Sequence, residues 1–502
     1  MTAVFLVLIL AVIGRLLPFA PCDPPWSWRS DLMLALLCGL LVALMGGSWL
    51  MPFHLIDGAH FSGDLSEYCN AVVDRAAADL SHYSHNRSLL PAWPAAFLLP
   101  HLGLLDAMVA SSTAALGVLA AGLYLWGRAL HSRMAGVAAA LATCALAPLL
   151  LLSRMMSFYP ETTAVFTLAA GLTAVAVRFS TPAALAAASL GAVLCLLVDL
   201  RGLLFALCFL VLIVLAATRA PRRCWPARLA IPALALALGW AAADHAYLPQ
   251  TAALETQVDL KRRLLDRGIA VPDALEKTLE TGYVWGRSDP RQIPLTLLGL
   301  QRQSSALPPG ALMDETTQRH LDAYLYPWLP LLSGALVVGA LGLALGALRW
   351  WRLLALLGTA APFVVAFKGA VELQRAFLRF LATGEPILAL LLGLGFAVVY
   401  EGAARSGVSR RAGALRLAVG TLLLLLLVLG VVPSAVSPVA PWRTPIPASD
   451  RQLRRLVDAL ESGAPSQMTA CLQQLRRDEA AGHSPRGRLY GGVADRPGSS
   501  AP

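Results

Sequence analysis

Apolar residues run through this chain in long unbroken stretches separated by short polar interruptions, without the period-two alternation of a half-buried strand. A helix of about 20 such residues crosses a hydrocarbon core of about 30 Å. Reading the stretches against their breakers predicts about twelve membrane-spanning helices, near 2–19, 31–51, 104–127, 134–152, 161–177, 183–200, 202–218, 229–247, 328–348, 353–367, 381–400 and 417–433. The stretch from Leu89 to Leu102 is interrupted by Pro91, Pro94 and Pro100 and predicts an interfacial or re-entrant helix instead of a full span. The first run starts without a basic lead or an obvious small-residue cleavage site, so it is expected to be a retained helix.

Composition narrows the class. Of the 502 residues, 57% are apolar and 14% charged, against about 45–50% and about 25% in a soluble domain. A soluble enzyme, a disordered chain and a disulfide-stapled scaffold are excluded, and continuous runs argue against a porin-like barrel. The expected fold is an all-α polytopic membrane protein. The eight cysteines stand singly with no C-x-x-C pair; Cys69 and Cys471 fall in polar segments, and unpaired thiols are expected.

A formal net charge of +10 suggests nucleic acid, but the arginines form short clusters between apolar runs and not one basic face, so no nucleic-acid partner is expected. Thirteen of them (Arg128, Arg133, Arg178, Arg219, Arg222, Arg223, Arg228, Arg349, Arg352, Arg405, Arg410, Arg411 and Arg416) fall in loops of one side. The short loops of the other side hold five basic residues, Arg154, Arg201, Lys368, Arg375 and Arg379. Basic loops prefer the cytoplasm, which puts residues 52–103, 248–327 and 434–502 outside it. The expected organisation is a membrane module over 1–433, interrupted by a first outer loop at 52–103 and a larger one at 248–327, then an outer tail over 434–502 whose last twenty or so residues read as disordered. The larger loop reads as amphipathic helices, Leu254 to Arg267 and Pro272 to Thr281, and suits a lid or a packing domain. Cytoplasmic loops are barely long enough to connect helices and no Walker loop occurs, which excludes ATP-driven transport.

The first outer loop is richest in polar chemistry. Asp64, Glu67 and Tyr68 share one helix face by spacing, bringing two carboxylates and a phenol toward one substrate; the same Asp-x-x-Glu pattern also suits a capping box. Glu161, in Phe158-Tyr159-Pro160-Glu161, stands at the outer mouth of a later span, where a carboxylate also suits a helix N-terminus. Tyr68 and Tyr159 are candidate substrate contacts. Arg201, Lys368, Arg375 and Arg379 lie near the outer boundary, on the side the topology rule disfavours, and suit a clamp on a departing lipid phosphate; for Arg201 the competing reading is a pair with Asp199. His82-x-x-His85 has a metal-compatible spacing without a third ligand, a weak signal for zinc.

In this layout the chain resembles the GT-C glycosyltransferases, in particular bacterial relatives of dolichyl-phosphate-mannose protein mannosyltransferase and of the lipid A aminoarabinose transferase. The resemblance lies in Asp64, Glu67 and Tyr68 after an early span, the proline-rich stretch Leu89 to Leu102, Glu161 at an outer helix start, the segment Gly191 to Arg201, and Arg379-Phe380-Leu381-Ala382-Thr383-Gly384-Glu385-Pro386, similar to an Arg-Tyr-Leu-x-Pro-x-x-Pro segment. It implies sugar transfer, with inversion, from an undecaprenyl-phosphate type donor to a lipid, glycan or protein acceptor at the outer face of a bacterial cytoplasmic (inner) membrane. Asp64 would be the base or a metal-linked carboxylate, Glu161 the second carboxylate, with a divalent ion between them as the implied cofactor, and Arg379 a phosphate contact. The tight Asp-Glu pair common in these enzymes is spread here to Asp64-x-x-Glu67, and Asp57 is a further candidate for the base. The rival class is a polytopic transporter or lipid flippase, which would carry mid-span charges and two related halves; charges gathered at the outer mouth favour catalysis there.

Overall fold

A computed structural model describes residues 25–46, 58–78, 88–144, 157–199, 201–242, 350–374 and 378–405, with single positions at 146, 149, 152 and 477. Every regular element among them is helical. In chain order these are α1 (Trp28–Gly46), α2 (Gly58–Ala77), a 3-10 turn (Leu90–Ala92) leading into α3 (Trp93–Leu102), α4 (Leu104–Leu130), α5 (Arg133–Ala142), α6 (Tyr159–Phe179), α7 (Pro182–Val198) and α8 (Gly202–Ala217). A 3-10 turn (Arg222–Cys224) then runs into α9 (225–242), followed by α10 (Trp350–Gln374) and α11 (Leu378–Arg405).

Four helices among the described residues are long and apolar enough to cross a membrane, at Trp28–Met45, Asp106–Leu130, Tyr159–Phe179 and Arg222–Ala242, and five shorter apolar helices accompany them. The expected spans at 2–19, 328–348 and 417–433, the loop at 248–327 and, apart from the single residue 477, the tail lie outside the described residues. One span differs from expectation. The apolar run 134–152 does not form one helix: α5 ends at Ala142, its last turn tightened by Thr143 N–H to Ala140 O and Cys144 N–H to Leu141 O. Pro148 further along the run has no N–H to give the carbonyl four residues back, which is a sequence reason for the run not being one continuous helix, and Leu149 beyond it is again helical. The expected Leu89–Leu102 helix is present as the 3-10 turn and α3, with Pro91 and Pro94 in their first turns, where a missing N–H costs nothing.

α4 is the central helix, packed on α1, α3, α5 and α6. Without a hydrophobic drive between helices in lipid, close packing depends on small residues. Gly39 of α1 meets Gly117 of α4 backbone to backbone, and a Cβ on Gly122 of α4 would stand 2.7 Å from Leu168 Cα of α6. A smaller core of Tyr68, Val72, Leu89, Ala95, Leu99, Met108 and Phe158 seats α2 and α3 on the start of α4. Elsewhere apolar side chains face outward: Leu203, Leu207, Val211 and Leu215 form an i, i+4 stripe on α8, and Trp240 of α9 is 85% exposed. An apolar surface of that extent is a liability in water and the expected outer face in lipid.

Two polar clusters sit at opposite ends of α4. At its C-terminal end, buried Asp31 of α1 accepts Oδ1 hydrogen bonds from Tyr124 (3.0 Å), Arg128 (3.0 Å) and Arg133 (2.9 Å), while Oδ2 accepts from Ser27 N–H (2.9 Å). At the same end Arg178 donates to the carbonyls of Arg128, Ala129 and His131, Arg219 to Val177 O, and Arg228 to Ser180 O. Five of the thirteen arginines assigned to one side by charge counting thus converge at one end of the bundle. Near the other end of α4 lies Ser111. At a rise of 1.5 Å per residue, Ser111 and Arg128 are about 25 Å apart along the helix, close to a hydrocarbon thickness.

Candidate active site

The site begins with α2. The helix starts at Gly58, so Asp64 and Glu67 lie in its interior and the capping-box reading does not apply. Their side chains lie outside the described part; their backbone positions place Asp64 one turn before Tyr68 and Glu67 directly before it. Tyr68 is fully buried, and its ring packs edge-on against Phe158 at 5.0 Å between centroids. Its hydroxyl donates to Glu161 Oε1 at 2.9 Å, joining residues 93 apart in sequence. Burial, and after it the Glu161 charge, pushes the phenol well above its ordinary value near 10, so Tyr68 remains a protonated donor.

Glu161 occupies the first turn of α6, after Pro160, in the position expected for a charge at a helix N-terminus. Its environment goes beyond that role. It is 6% exposed, and Oε1 also accepts from the Ser111 hydroxyl of α4 at 2.6 Å, while Oε2 is buried with no hydrogen-bond partner among the described residues. One carboxylate oxygen therefore ties α2, α4 and α6 together. Ser111 escaped the sequence reading. Its only signal is the polar run Ser111-Ser112-Thr113 inside an apolar span, and a serine in a helix commonly bonds its own backbone.

Tyr159, two residues before Glu161, is buried under the Arg201 guanidinium, which lies 5.1 Å from the ring centroid. Arg201 makes a two-pronged pair with Asp199, Nε to Oδ1 at 2.9 Å and Nη2 to Oδ2 at 2.8 Å, and its backbone N–H also reaches Oδ1. The Asp199 pairing weighed from sequence is present, and it holds the guanidinium against Tyr159. Ser88, ahead of α3, donates its hydroxyl to Leu197 O near the end of α7, joining the first outer loop to the Asp199–Arg201 turn.

Of the remaining candidates, Lys368 is on α10 and Arg379 on the first turn of α11, with side chains outside the described part. Arg375, Asp57, His82 and His85 lie outside the described residues. Among the described residues no three His, Cys, Asp or Glu side chains converge on a metal-sized point. Cys69 is a buried free thiol, 3.8 Å from Met108 Sδ, and Cys471 lies outside the described residues.

No protein-family model matches this chain, and no curated protein sequence matches it. Its structure is similar to that of two GT-C glycosyltransferases. One is ArnT, the lipid A aminoarabinose transferase, from Cupriavidus metallidurans, bound to undecaprenyl phosphate: 13% identity, TM-score 0.44, covering 91% of this chain and 79% of that one. Its apo state matches at 14% identity and TM-score 0.40, with 90% and 79% covered. The other is the oligosaccharyltransferase AglB from Archaeoglobus fulgidus, in complex with an inhibitory peptide and a dolichol-phosphate, at 12% identity and TM-score 0.38. That match covers 90% of this chain and 56% of AglB, so this chain spans just over half its length.

Proposed function

We propose that this protein is a membrane glycosyltransferase that moves a sugar from a polyprenyl-phosphate donor to a hydroxyl acceptor at the outer membrane boundary. The hydrogen bond from Tyr68 to Glu161 carries the reading: it docks the acidic helix α2 onto the mouth of α6, where a lipid-borne sugar meets water. Both residues were singled out from sequence as members of one site; their bond joins α2 to α6, and Ser111 of α4 donates to the same oxygen.

Asp64, one turn from Tyr68 on α2, takes the acceptor's proton as the hydroxyl oxygen forms its bond to the anomeric carbon. The bond from that carbon to the phosphate oxygen breaks, its electron pair leaves with the polyprenyl phosphate, and the sugar inverts. Arg379, with Arg375 and Lys368, offsets the charge on the departing phosphate, while Arg201 and Tyr159 line the approach from the turn between α7 and α8 and from α6. Glu67 borders the acceptor side. Glu161 fixes α2 and offers Oε2 to an acceptor hydroxyl. A divalent ion would find that buried, unpartnered oxygen as one ligand, but the described residues supply no complete set, so no step is drawn through a metal.

The test is transfer from undecaprenyl-phosphate sugars by the purified chain, comparing the parent with Asp64→Asn, Glu161→Gln and Arg379→Ala. Folded variants with turnover reduced at least about 100-fold are expected. Full activity in all three places the chemistry elsewhere.

A further inference from the structure

The end of the bundle that charge counting assigns to the cytoplasm is basic without matching acids. No Asp or Glu occurs at 107–160, 162–198, 200–243 or 316–371, the stretches that supply most of its connections. Among the described residues its carboxylates are Asp31, held by Arg128 and Arg133, and Glu401, which faces His131 Nε2 at 3.2 Å.

The arginines of the turn between α8 and α9 are of two kinds. Arg219 and Arg228 are anchored: Arg219 donates to Val177 O and lies 6.0 Å from the Trp351 ring centroid, and Arg228 donates to Ser180 O at 2.7 Å. Trp225 Nε1 donates to Ala220 O and Cys224 N–H to Pro221 O, both at 2.8 Å, so the turn is fixed at its flanks and across its tip. At that tip Arg222 and Arg223 are exposed and have no hydrogen bond or ion pair among the described residues. Two guanidiniums are thus presented side by side on a rigid support.

A surface suited to an acyl chain runs up to the same turn. Leu203, Leu207, Val211 and Leu215 of α8 are 46–60% exposed, and the next step of four is Arg219. From Leu203 to Leu215 the stripe is about 18 Å long, close to the depth of one leaflet of a hydrocarbon core of about 30 Å. Lipid covers such a face in any case, and the charge at its end selects which lipid. A guanidinium can hold two oxygens of a phosphodiester at once, and basic pockets where helices meet the cytoplasmic leaflet suit anionic headgroups.

We infer that the α8–α9 turn is a binding site for an anionic glycerophospholipid, its phosphodiester held by Arg222 and Arg223 beside Arg219 and an acyl chain lying along the α8 stripe. The site is at the opposite end of α6 from Glu161 and takes no part in the proposed chemistry. A stripe one leaflet deep matches a fatty acyl chain and is short for a polyprenyl tail.

The experiment titrates the full chain in detergent with phosphatidylglycerol or phosphatidylcholine and reads the Kd of the first bound lipid by native mass spectrometry. The parent should bind phosphatidylglycerol at least about fivefold tighter than phosphatidylcholine, the factor for one arginine near an anionic headgroup. Arg222→Gln with Arg223→Gln should abolish that preference. A charge-matched pair at the same end, Arg29→Gln with Arg405→Gln, should keep it within about twofold, because a bound headgroup responds to the arginines that touch it. A parent without preference overturns the inference. Equal loss in the two pairs also overturns it, since the basic end would then act as a diffuse field. Displacement of the bound phosphatidylglycerol by an equimolar amount of undecaprenyl phosphate overturns it as well, giving the turn to a polyprenyl carrier. None of these readings depends on sugar transfer.

Discussion

Removing the Tyr68 hydroxyl tests the clamp most directly. Tyr68→Phe keeps the ring against Phe158 and leaves the surrounding core filled, so the change is confined to one donor. The bond is 2.9 Å long and both partners are buried. A hydrogen bond to a charged group in such a setting contributes about 1.5–3 kcal/mol. Ser111 still donates to the same oxygen at 2.6 Å, so Glu161 keeps one partner and the cost should be about 2 kcal/mol. A double-mutant cycle in the full chain, with Tyr68→Phe, Glu161→Met and both, followed by denaturant unfolding in detergent, should return a coupling of that size. Turnover of Tyr68→Phe should fall about tenfold or more, because α2 and with it Asp64 lose their register. Additive stabilities together with parental turnover would refute both the clamp and the placement of Asp64 by it.

The other expectations concern the frame around the site. Asp31→Ala leaves Arg128 and Arg133 buried without their shared carboxylate and should destabilise the chain by about 3–5 kcal/mol; the triple replacement of Asp31, Arg128 and Arg133 by Met should recover most of this, measured by the same unfolding titration. Gly122→Ala brings a Cβ to 2.7 Å from the Leu168 backbone and should cost about 1–3 kcal/mol as overpacking; a parental midpoint would show that α4 and α6 do not approach so closely. Stability should also respond to alkali. In the unfolded chain the Tyr68 phenol ionises near pH 10, whereas in the fold it stays protonated, so the native state holds the extra proton and stability falls as pH rises above that value. Below pH 10 this contribution is constant, and Tyr68→Phe should flatten the alkaline fall when midpoints are compared between pH 8 and 11.

Much of the bundle could be read from apolar run lengths, because a helix in lipid must satisfy its own backbone and so announces itself by length. Where α5 stops, at Ala142, the apolar run carries on with only Thr143 and then Pro148 to mark the interruption. Two members of the candidate cluster were legible as residues, but their bonds were not. Tyr68 and Glu161 stand out because polar groups at a membrane mouth are few, yet nothing in the spacing shows that Oε1 takes two donors or that Ser111 is one of them. Asp31 reads as an ordinary acid at a helix start; its partners are 97 and 102 residues away, and only packing brings them to it.

The two polar clusters at the ends of α4 have a consequence for the surrounding bilayer. Each is a knot of three helices held by buried hydrogen bonds, so the rungs they mark cannot slide past one another to suit a thicker or thinner membrane. The protein behaves as a rigid gauge of its own height, and lipid whose acyl chains do not match it must stretch or compress at the protein's edge. Reconstitution across a series of acyl-chain lengths should therefore show an optimum in turnover set by the spacing of those knots.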